Sequence, residues 1–210
     1  MTGLYLVRHG ETDWNRANRC QGCIDIDLNE EGVKQAEAVA ERLAGEPIDI
    51  VFSSQLSRAV NTAAKIAEKH SLEVIKSKAL NEIAFGEWEG LTFEEMRART
   101  DYNFSCWKTT PHLASFPGEG NLERVMQRSM DFITQIIKEN EGKNIVVVSH
   151  GGILKTIILG LLDIPLAAYN RFYMTNASLS FLTIDGERSY INFLNDANHL
   201  RSRENTRPIF

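Results

Sequence analysis

Two of the five histidines in the sequence, His9 and His150, come at the ends of strongly apolar segments. Arg8 directly precedes His9, and Arg58 lies just beyond another apolar segment. A neutral imidazole is a good nucleophile toward phosphorus, and neighbouring guanidinium groups keep it unprotonated and bind a dianionic phosphoryl group through paired hydrogen bonds. Arginine and histidine can also supply positive charge to the phosphoryl oxygens without a metal ion. These residue types therefore indicate phosphoryl transfer.

Strands and helices alternate along the sequence and must position these residues. Short apolar runs predict the strands, and apolar residues at helical spacing predict the helices. The alternation predicts an α/β fold, a three-layer α/β/α sandwich with a mostly parallel central sheet and an antiparallel edge. In such a fold the site lies outside the carboxyl ends of the strands, where His9, Arg58 and His150 are expected to meet. The predicted strands are 4–7, 48–54, 72–75, 145–148, 178–184 and 190–194, and the predicted helices are 33–43, 56–70, 121–139 and 151–162.

Four sequence motifs, in a fixed order, resemble those of the histidine phosphatase superfamily, the phosphoglycerate mutase-like proteins. They span residues 4–15, 53–63, 81–90 and 148–152, and the matched region extends from 4 to about 194. The resemblance implies a phosphoglycerate mutase-like fold. With a length of 210 residues, we expect a single domain over 1–210 with a small cap insertion at about 80–120 and a polar tail from about 198.

The resemblance also implies roles for individual residues. His9 would attack the phosphate and become a phosphohistidine, while Arg8, Arg58 and His150 would bind the phosphoryl oxygens. Glu82 would act as general acid on the leaving alkoxide and then as general base on water, because an alcohol leaving group needs a proton. The resemblance further implies substrate-binding positions at Asn15, Gln21, Gly22, Thr12 and Gly151.

Three features favour a phosphatase over a mutase. They are the acid loop 81–90, which carries Glu82, the short cap insertion, and the Gly151-Gly152 pair after His150. They are similar to the branch of the family that contains α-ribazole and broad-specificity phosphatases, so the implied partner is a small phosphorylated metabolite. A cofactor-dependent phosphoglycerate mutase is one alternative. A non-catalytic phospho-ligand binding module is an alternative of another class, and the presence of both His9 and Glu82 speaks against it.

The leaving group would be recognised by the cap, which is rich in aromatic residues. These residues could line an apolar pocket, but such side chains more often form the core of a cap. Lys108 and His112 could contact a carboxylate or a second phosphate, or could be solvated surface residues. The loop 117–121 departs from the family pattern, so its contacts with substrate are open. The aromatic residues concerned are Phe85, Trp88, Tyr102, Phe104, Trp107 and Phe116.

The net charge and the distribution of apolar residues argue against several classes of protein. The formal net charge is −5, which argues against a nucleic-acid binder, so positive charge for an anion must be concentrated locally. The N-terminal residues have no signal-peptide pattern, and no apolar stretch is long enough to span a bilayer, so we expect a cytoplasmic protein without a membrane role. The strands at 178–194 could form a free sheet edge, which suggests a homodimer.

Three cysteines, Cys20, Cys23 and Cys106, cannot all pair. Cys20 and Cys23 form a C-x-x-C, which could belong to a redox or zinc site. No second pair of ligands lies nearby in the sequence, so we interpret the C-x-x-C as incidental. We expect no metal and no cofactor.

Overall fold

The computed structural model of the protein describes residues 1–99 and 102–200. Most of the predicted polar tail, residues 201–210, lies outside these ranges. Within them, Asn198–Leu200 forms a short 3-10 turn. None of the helices in the described ranges has the length and apolar character needed to cross a membrane.

A six-stranded sheet forms the centre of the fold, in the order β3-β2-β4-β1-β5-β6. The first four strands in this order pair in parallel, and β5 and β6 complete the sheet in antiparallel orientation. The predicted mostly parallel sheet with an antiparallel edge is therefore confirmed. The strands are β1 (Thr2–Arg8), β2 (Ile50–Ser53), β3 (Val74–Lys76), β4 (Asn144–Ser149), β5 (Leu179–Asp185) and β6 (Arg188–Asp196).

Helices cover both faces of the sheet, because alternate side chains of each central strand point to opposite sides. In β1, Leu4 and Leu6 pack into a core with α6 (Leu122–Glu139), α7 (Gly151–Leu161) and the segment between β3 and α6. Tyr5 and Val7 pack into a second core with α2 and α3. This arrangement is the predicted three-layer sandwich. The helices are α1 (Asp13–Arg16), α2 (Glu30–Leu43), α3 (Ser57–His70), α4 (Phe93–Ala98), α5 (Tyr102–Thr109), α6 (Leu122–Glu139) and α7 (Gly151–Leu161).

The segment between β3 and α6, predicted to be irregular, contains two helices, α4 and α5. α4 is only six residues long, too short for a clear period, but Thr92 and Glu95 form a capping box at its N-terminus. In α5, polar and apolar residues do not separate onto opposite faces, so hydrophobic periodicity could not reveal this helix. Both helices pack onto the core shared with α6 and α7.

The aromatic residues of this segment mostly form its core. Phe85, Trp88, Phe104 and Phe116 are buried, and Phe85 and Phe116 meet edge to face with ring centroids 5.2 Å apart. Phe85 and Trp107 also line the cleft described below. Of the two interpretations left open by the sequence, the core therefore accounts for most of these rings. The side chain of Tyr102 lies outside the described part of the structure.

Candidate active site

A cleft of about 1990 Å³ opens at the carboxyl ends of the parallel strands. β1 ends at Arg8, β2 at Ser53 and β4 at Ser149, and Arg8 is the register partner of Ser149. The next residues, His9 and His150, therefore lie side by side, with ring centroids 5.1 Å apart. Of the predicted site residues, the cleft is lined by Arg8, His9, Asn15, Gln21, Gly22, Arg58, Glu82 and Gly151, whereas Thr12 and His150 are fully buried behind this lining.

His9 is oriented by its own loop. Its backbone N–H donates to the Ser149 carbonyl at 3.0 Å, and its ring Nδ1 donates to the Gly10 carbonyl at 2.6 Å. A proton on Nδ1 leaves the lone pair of the neutral ring on Nε2. Burial, followed by the positive charges of Arg58 and Arg8, lowers the pKa of His9 well below 6.5. His9 is therefore a neutral imidazole with one fixed tautomer.

Arg8 presents a cation with an unused donor. Its Nη1 donates to the Met174 carbonyl at 2.6 Å, whereas its buried Nε has no hydrogen-bond partner. The guanidinium lies against the bare backbone of Gly151, where an added Cβ would be 3.5 Å from Nε. Burial and the charge of Arg58 lower the pKa of Arg8 to about 10, so it stays charged at neutral pH. Because buried donors are normally satisfied, this group fits a phosphoryl oxygen.

Arg58 and His150 form a buried network beneath the cleft. Arg58 Nε donates to His150 Nδ1 at 3.2 Å, so the proton of the neutral His150 ring lies on Nε2, which donates to Ser54 Oγ at 2.7 Å. Arg58 also donates to the carbonyls of Gly22 at 2.8 Å and Ile24 at 2.9 Å. Both ring nitrogens of His150 thus have protein partners, so a contact from His150 to phosphate requires exchange of one of them.

Thr12 supports the predicted substrate-binding residues from behind. It is the N-cap of α1, and its hydroxyl lies 3.1 Å from both Asn15 Oδ1 and Gln21 Oε1. Asn176 Nδ2 also donates to Asn15 Oδ1 at 3.1 Å. These contacts occupy Oδ1 of the Asn15 amide. Its Nδ2, which donates, therefore faces the opposite side, the orientation needed to donate to a bound anion. The geometry therefore favours a positioning role for Thr12 over the direct phosphate contact expected from the sequence.

Glu82 lies in the segment between β3 and α6 and lines the same cleft as Arg8 and Arg58. Its Oε1 accepts from the Ile83 N–H at 3.0 Å and its Oε2 from the Gly152 N–H at 3.2 Å. Gly152 leaves room for this carboxyl group, because an added Cβ would displace Glu82 Oε1 and come within 3.1 Å of the Tyr169 hydroxyl. Two backbone donors on different elements thus fix the carboxyl group at the start of α7.

The unusual loop 117–121 supports the Glu82 loop instead of lining the cleft. Glu119 Oε2 accepts from the Ala84 N–H at 3.1 Å, and Glu119 Oε1 accepts from Arg128 Nε at 2.6 Å. Arg128 Nη1 in turn donates to the Ala79 and Asn81 carbonyls at 2.7 and 3.0 Å. The departure from the family pattern noted in the sequence therefore supplies a support for the acid loop.

Sequence reasoning missed several residues of the site. Asn176 donates to the His9 and Gly10 carbonyls at 3.1 and 3.2 Å and so holds the loop that carries His9. Ser54 lay in a recognised motif, but nothing in the sequence linked it to His150. No local pattern marks Asn176, which comes from the chain just before β5.

Of the two cap residues whose contacts the sequence left open, Lys108 lines the cleft and His112 does not.

The C-x-x-C residues carry free thiols. Burial, aided by the charges of Glu82 and Glu89, raises the pKa of Cys20 and raises that of Cys23 to about 11. Raised pKa values disfavour the thiolate, which is the form that reacts in redox chemistry and binds metals. Across residues 1–99 and 102–200, His, Cys, Asp and Glu side chains form no group of three that could hold a metal ion.

Comparison with known proteins agrees with this geometry. The family "Histidine phosphatase superfamily (branch 1)" matches residues 4–197. Phosphoserine phosphatase 1 of Hydrogenobacter thermophilus is 38% identical over 200 residues, which cover 95% of each chain. A metal-independent phosphoserine phosphatase of Arabidopsis thaliana is also 38% identical, over 96% of this chain and 84% of its own.

A phosphoserine phosphatase of Entamoeba histolytica, crystallised as a histidine-to-alanine variant with phosphoserine, is similar in structure. Its TM-score is 0.87 at 36% identity, over 95% of this chain and 100% of its own. The same enzyme has also been crystallised with 3-phosphoglyceric acid. The family match extends over nearly the whole chain and includes the strand ends that carry the buried histidines and arginines. The chain is therefore a phosphatase that belongs to branch 1 of the histidine phosphatase superfamily.

Proposed function

We propose that this protein hydrolyses O-phosphoserine through a phosphohistidine on His9. The observation that carries the mechanism is the neutral His9 ring, with its proton fixed on Nδ1 and its Nε2 free to attack beside Arg8 and Arg58. The similarity to phosphoserine phosphatases supports the choice of substrate. Phosphoserine thus replaces α-ribazole phosphate as the first candidate.

In the first step, Nε2 of His9 attacks phosphorus and the ester P–O bond breaks. Arg8, through its unpartnered Nε, and the Nδ2 of Asn15 donate to the phosphoryl oxygens. The positive end of the α7 dipole also faces the anion. The carboxylic acid of Glu82 gives its proton to the departing alkoxide. Serine therefore leaves with a neutral hydroxyl group, and phosphohistidine remains.

In the second step, water takes the place of serine. The Glu82 carboxylate, held by the Ile83 and Gly152 N–H groups, accepts a proton from the water as the water oxygen attacks phosphorus. The P–N bond breaks, inorganic phosphate forms, and His9 returns to its neutral state. Arg58 and His150, joined to each other and to the loop at Gly22, keep the phosphate subsite rigid during both steps.

A screen of phosphorylated metabolites by phosphate release tests the substrate. We expect the highest kcat/KM for O-phosphoserine among a set that includes α-ribazole phosphate, 3-phosphoglycerate and sugar phosphates. EDTA should leave the rate unchanged, because the phosphoryl oxygens are bound by side chains. A higher kcat/KM for another metabolite would refute the phosphoserine assignment, and inhibition by EDTA that magnesium or zinc reverses would refute the metal-independent mechanism.

The lowered pKa of His9 predicts an unusual pH profile. A depressed histidine pKa means that the nucleophile is active at all pH values above its folded pKa and is lost only as the pH falls through that value. Because this pKa lies well below 6.5, kcat/KM for p-nitrophenyl phosphate, corrected for ionisation of the substrate, should stay flat from about pH 8 down to 6.5. An acid limb centred at or above pH 6.5 would contradict the buried, neutral nucleophile.

The homodimer and the cytoplasmic location expected from the sequence stay predictions. β6 is one of the two edge strands of the sheet and exposes Tyr190 and Ile191. An unpaired edge of this kind can accept a strand from a second copy. Light scattering coupled to gel filtration would give the mass of the particle and test the dimer.

A further inference from the structure

Lys155 is a cation of the cleft to which the mechanism gives no role. It lies on α7, one turn beyond Gly151 and Gly152, and its half-buried side chain lines the cleft. Its Nζ lies 4.9 Å from the centroid of the Tyr169 ring and 6.0 Å from that of the Phe172 ring. These contacts between a cation and aromatic faces hold the ammonium group inside the cleft instead of letting it extend into water.

The position of Lys155 relative to Glu82 places it on the leaving-group side. The Tyr169 hydroxyl and Glu82 Oε1 both lie against the backbone of Gly152. Glu82 is the group that would protonate the departing oxygen, so the part of the substrate beyond that oxygen must pass close to Tyr169. Lys155 stands over the ring of Tyr169 and therefore borders the space that the departing alcohol occupies.

The charge of Lys155 calls for an anion. None of the ion pairs formed within 1–99 and 102–200 includes it. Burial and the charge of Arg8 lower its pKa to about 8 despite the opposing effect of the Glu82 carboxyl group, so Lys155 is mostly protonated at neutral pH although its surroundings on balance oppose the charge. An anionic group next to Lys155 would relieve this cost. In the proposed mechanism Arg8 and Asn15 already bind the phosphoryl group, so the anion must come from another part of the substrate.

We propose that Lys155 binds the carboxylate of the leaving group and thereby selects phosphomonoesters of hydroxy acids. The inference rests on the proposed function and deepens it. In O-phosphoserine the carboxylate is attached to the carbon next to the one that bears the phosphate ester. An ammonium group close to the proton donor for the ester oxygen has the right chemistry and location to bind it.

Two substrates that differ only in the carboxylate test this role. O-phosphoserine and O-phosphoethanolamine share the phosphate, the ester and the amine, so the ratio of their kcat/KM values measures recognition of the carboxylate. We expect the wild type to prefer phosphoserine and Lys155→Met to reduce that preference at least about tenfold, as fits the loss of a charge-assisted contact. Lys155→Arg should retain most of the preference. Thermal melting of each variant reports on folding, and the ratio cancels losses that affect both substrates equally.

Lys108 is the alternative candidate for binding the carboxylate, because it is the other lysine that lines the cleft. An unchanged preference in Lys155→Met, or a loss of preference in Lys108→Met alone, would overturn the role of Lys155. Failure of the proposed function gives a different result, since the wild type would then hydrolyse p-nitrophenyl phosphate but not phosphoserine. In that case 3-phosphoglycerate and glycerol 3-phosphate form the equivalent pair. If the wild type has no preference for the carboxylate in this pair either, the inference fails.

Discussion

Replacement of His9 by alanine should reduce the turnover of both phosphoserine and p-nitrophenyl phosphate by more than about three orders of magnitude. In the proposed mechanism the covalent intermediate forms on the imidazole, and alanine offers no atom that can bond to phosphorus. Arg8, with its unpartnered Nε, and Arg58 remain in the variant. We therefore expect binding of phosphoserine to persist in His9→Ala, with a dissociation constant measurable by calorimetry, although hydrolysis is lost.

The matched control for this variant is His70→Ala. His70 is the last residue of α3 and does not line the cleft, so its removal should leave the rate close to that of the wild type. Rapid quenching of the wild type with ³²P-labelled substrate should trap an acid-labile phosphoenzyme that His9→Ala cannot form. Retention of substantial activity or of the label by His9→Ala would show that another group is the nucleophile.

The fold could be predicted because its determinants are local in the sequence. Most of β1 and β4, residues 4–7 and 145–148, is an unbroken apolar run, since both faces of a central parallel strand are buried. The helices α2, α3 and α6 are amphipathic and long enough for their period to be read. α4 and α5 escaped prediction because they are short, and their contacts with the common core stabilise them more than their own pattern does.

The partners of the site residues could not be predicted in the same way. Arg58 reaches His150 across 92 positions, and Asn176 reaches His9 across 167. Such contacts arise only after the strands have been ordered in the sheet, and no spacing along the chain encodes them. Thr12 is the opposite case, because Thr12 and Asn15 stand at the spacing of a capping box and could have been recognised as a helix start.

The net charge of −5 and the cationic site are compatible because the fold concentrates charge at one point. Arg8 and Arg58 are forced together by the ends of β1 and β2, and backbone carbonyls bind part of each guanidinium. The carbonyls offset some of the desolvation but do not neutralise the charge. Burial and the repulsion that remains keep His9 neutral, and the repulsion is relieved when a phosphoryl group binds, so in the proposed mechanism one arrangement serves both the nucleophile and the substrate.

Replacement of Glu82 by glutamine should separate the two steps of the reaction. Glutamine keeps the shape of the side chain, and its single carbonyl oxygen can still accept from one of the Ile83 and Gly152 N–H groups, but it cannot transfer a proton. With phosphoserine, whose alkoxide needs a proton to leave, we expect kcat to fall about 10²- to 10⁴-fold. With p-nitrophenyl phosphate, whose phenolate leaves without a proton, formation of phosphohistidine should stay fast while its hydrolysis slows.

This difference predicts a burst that no other substitution in the loop should give. Stopped-flow measurement of Glu82→Gln should show a rapid release of nitrophenolate, equal to one molecule per enzyme, followed by slow turnover. Glu87→Gln is the matched control, since Glu87 lies in the same loop but is exposed to solvent and does not line the cleft, and it should behave as the wild type. Loss of activity of equal size on both substrates, without a burst, would mean that Glu82 only binds the substrate. A burst in Glu82→Gln together with its absence in Glu87→Gln would instead identify Glu82 as the acid of the first step and the base of the second.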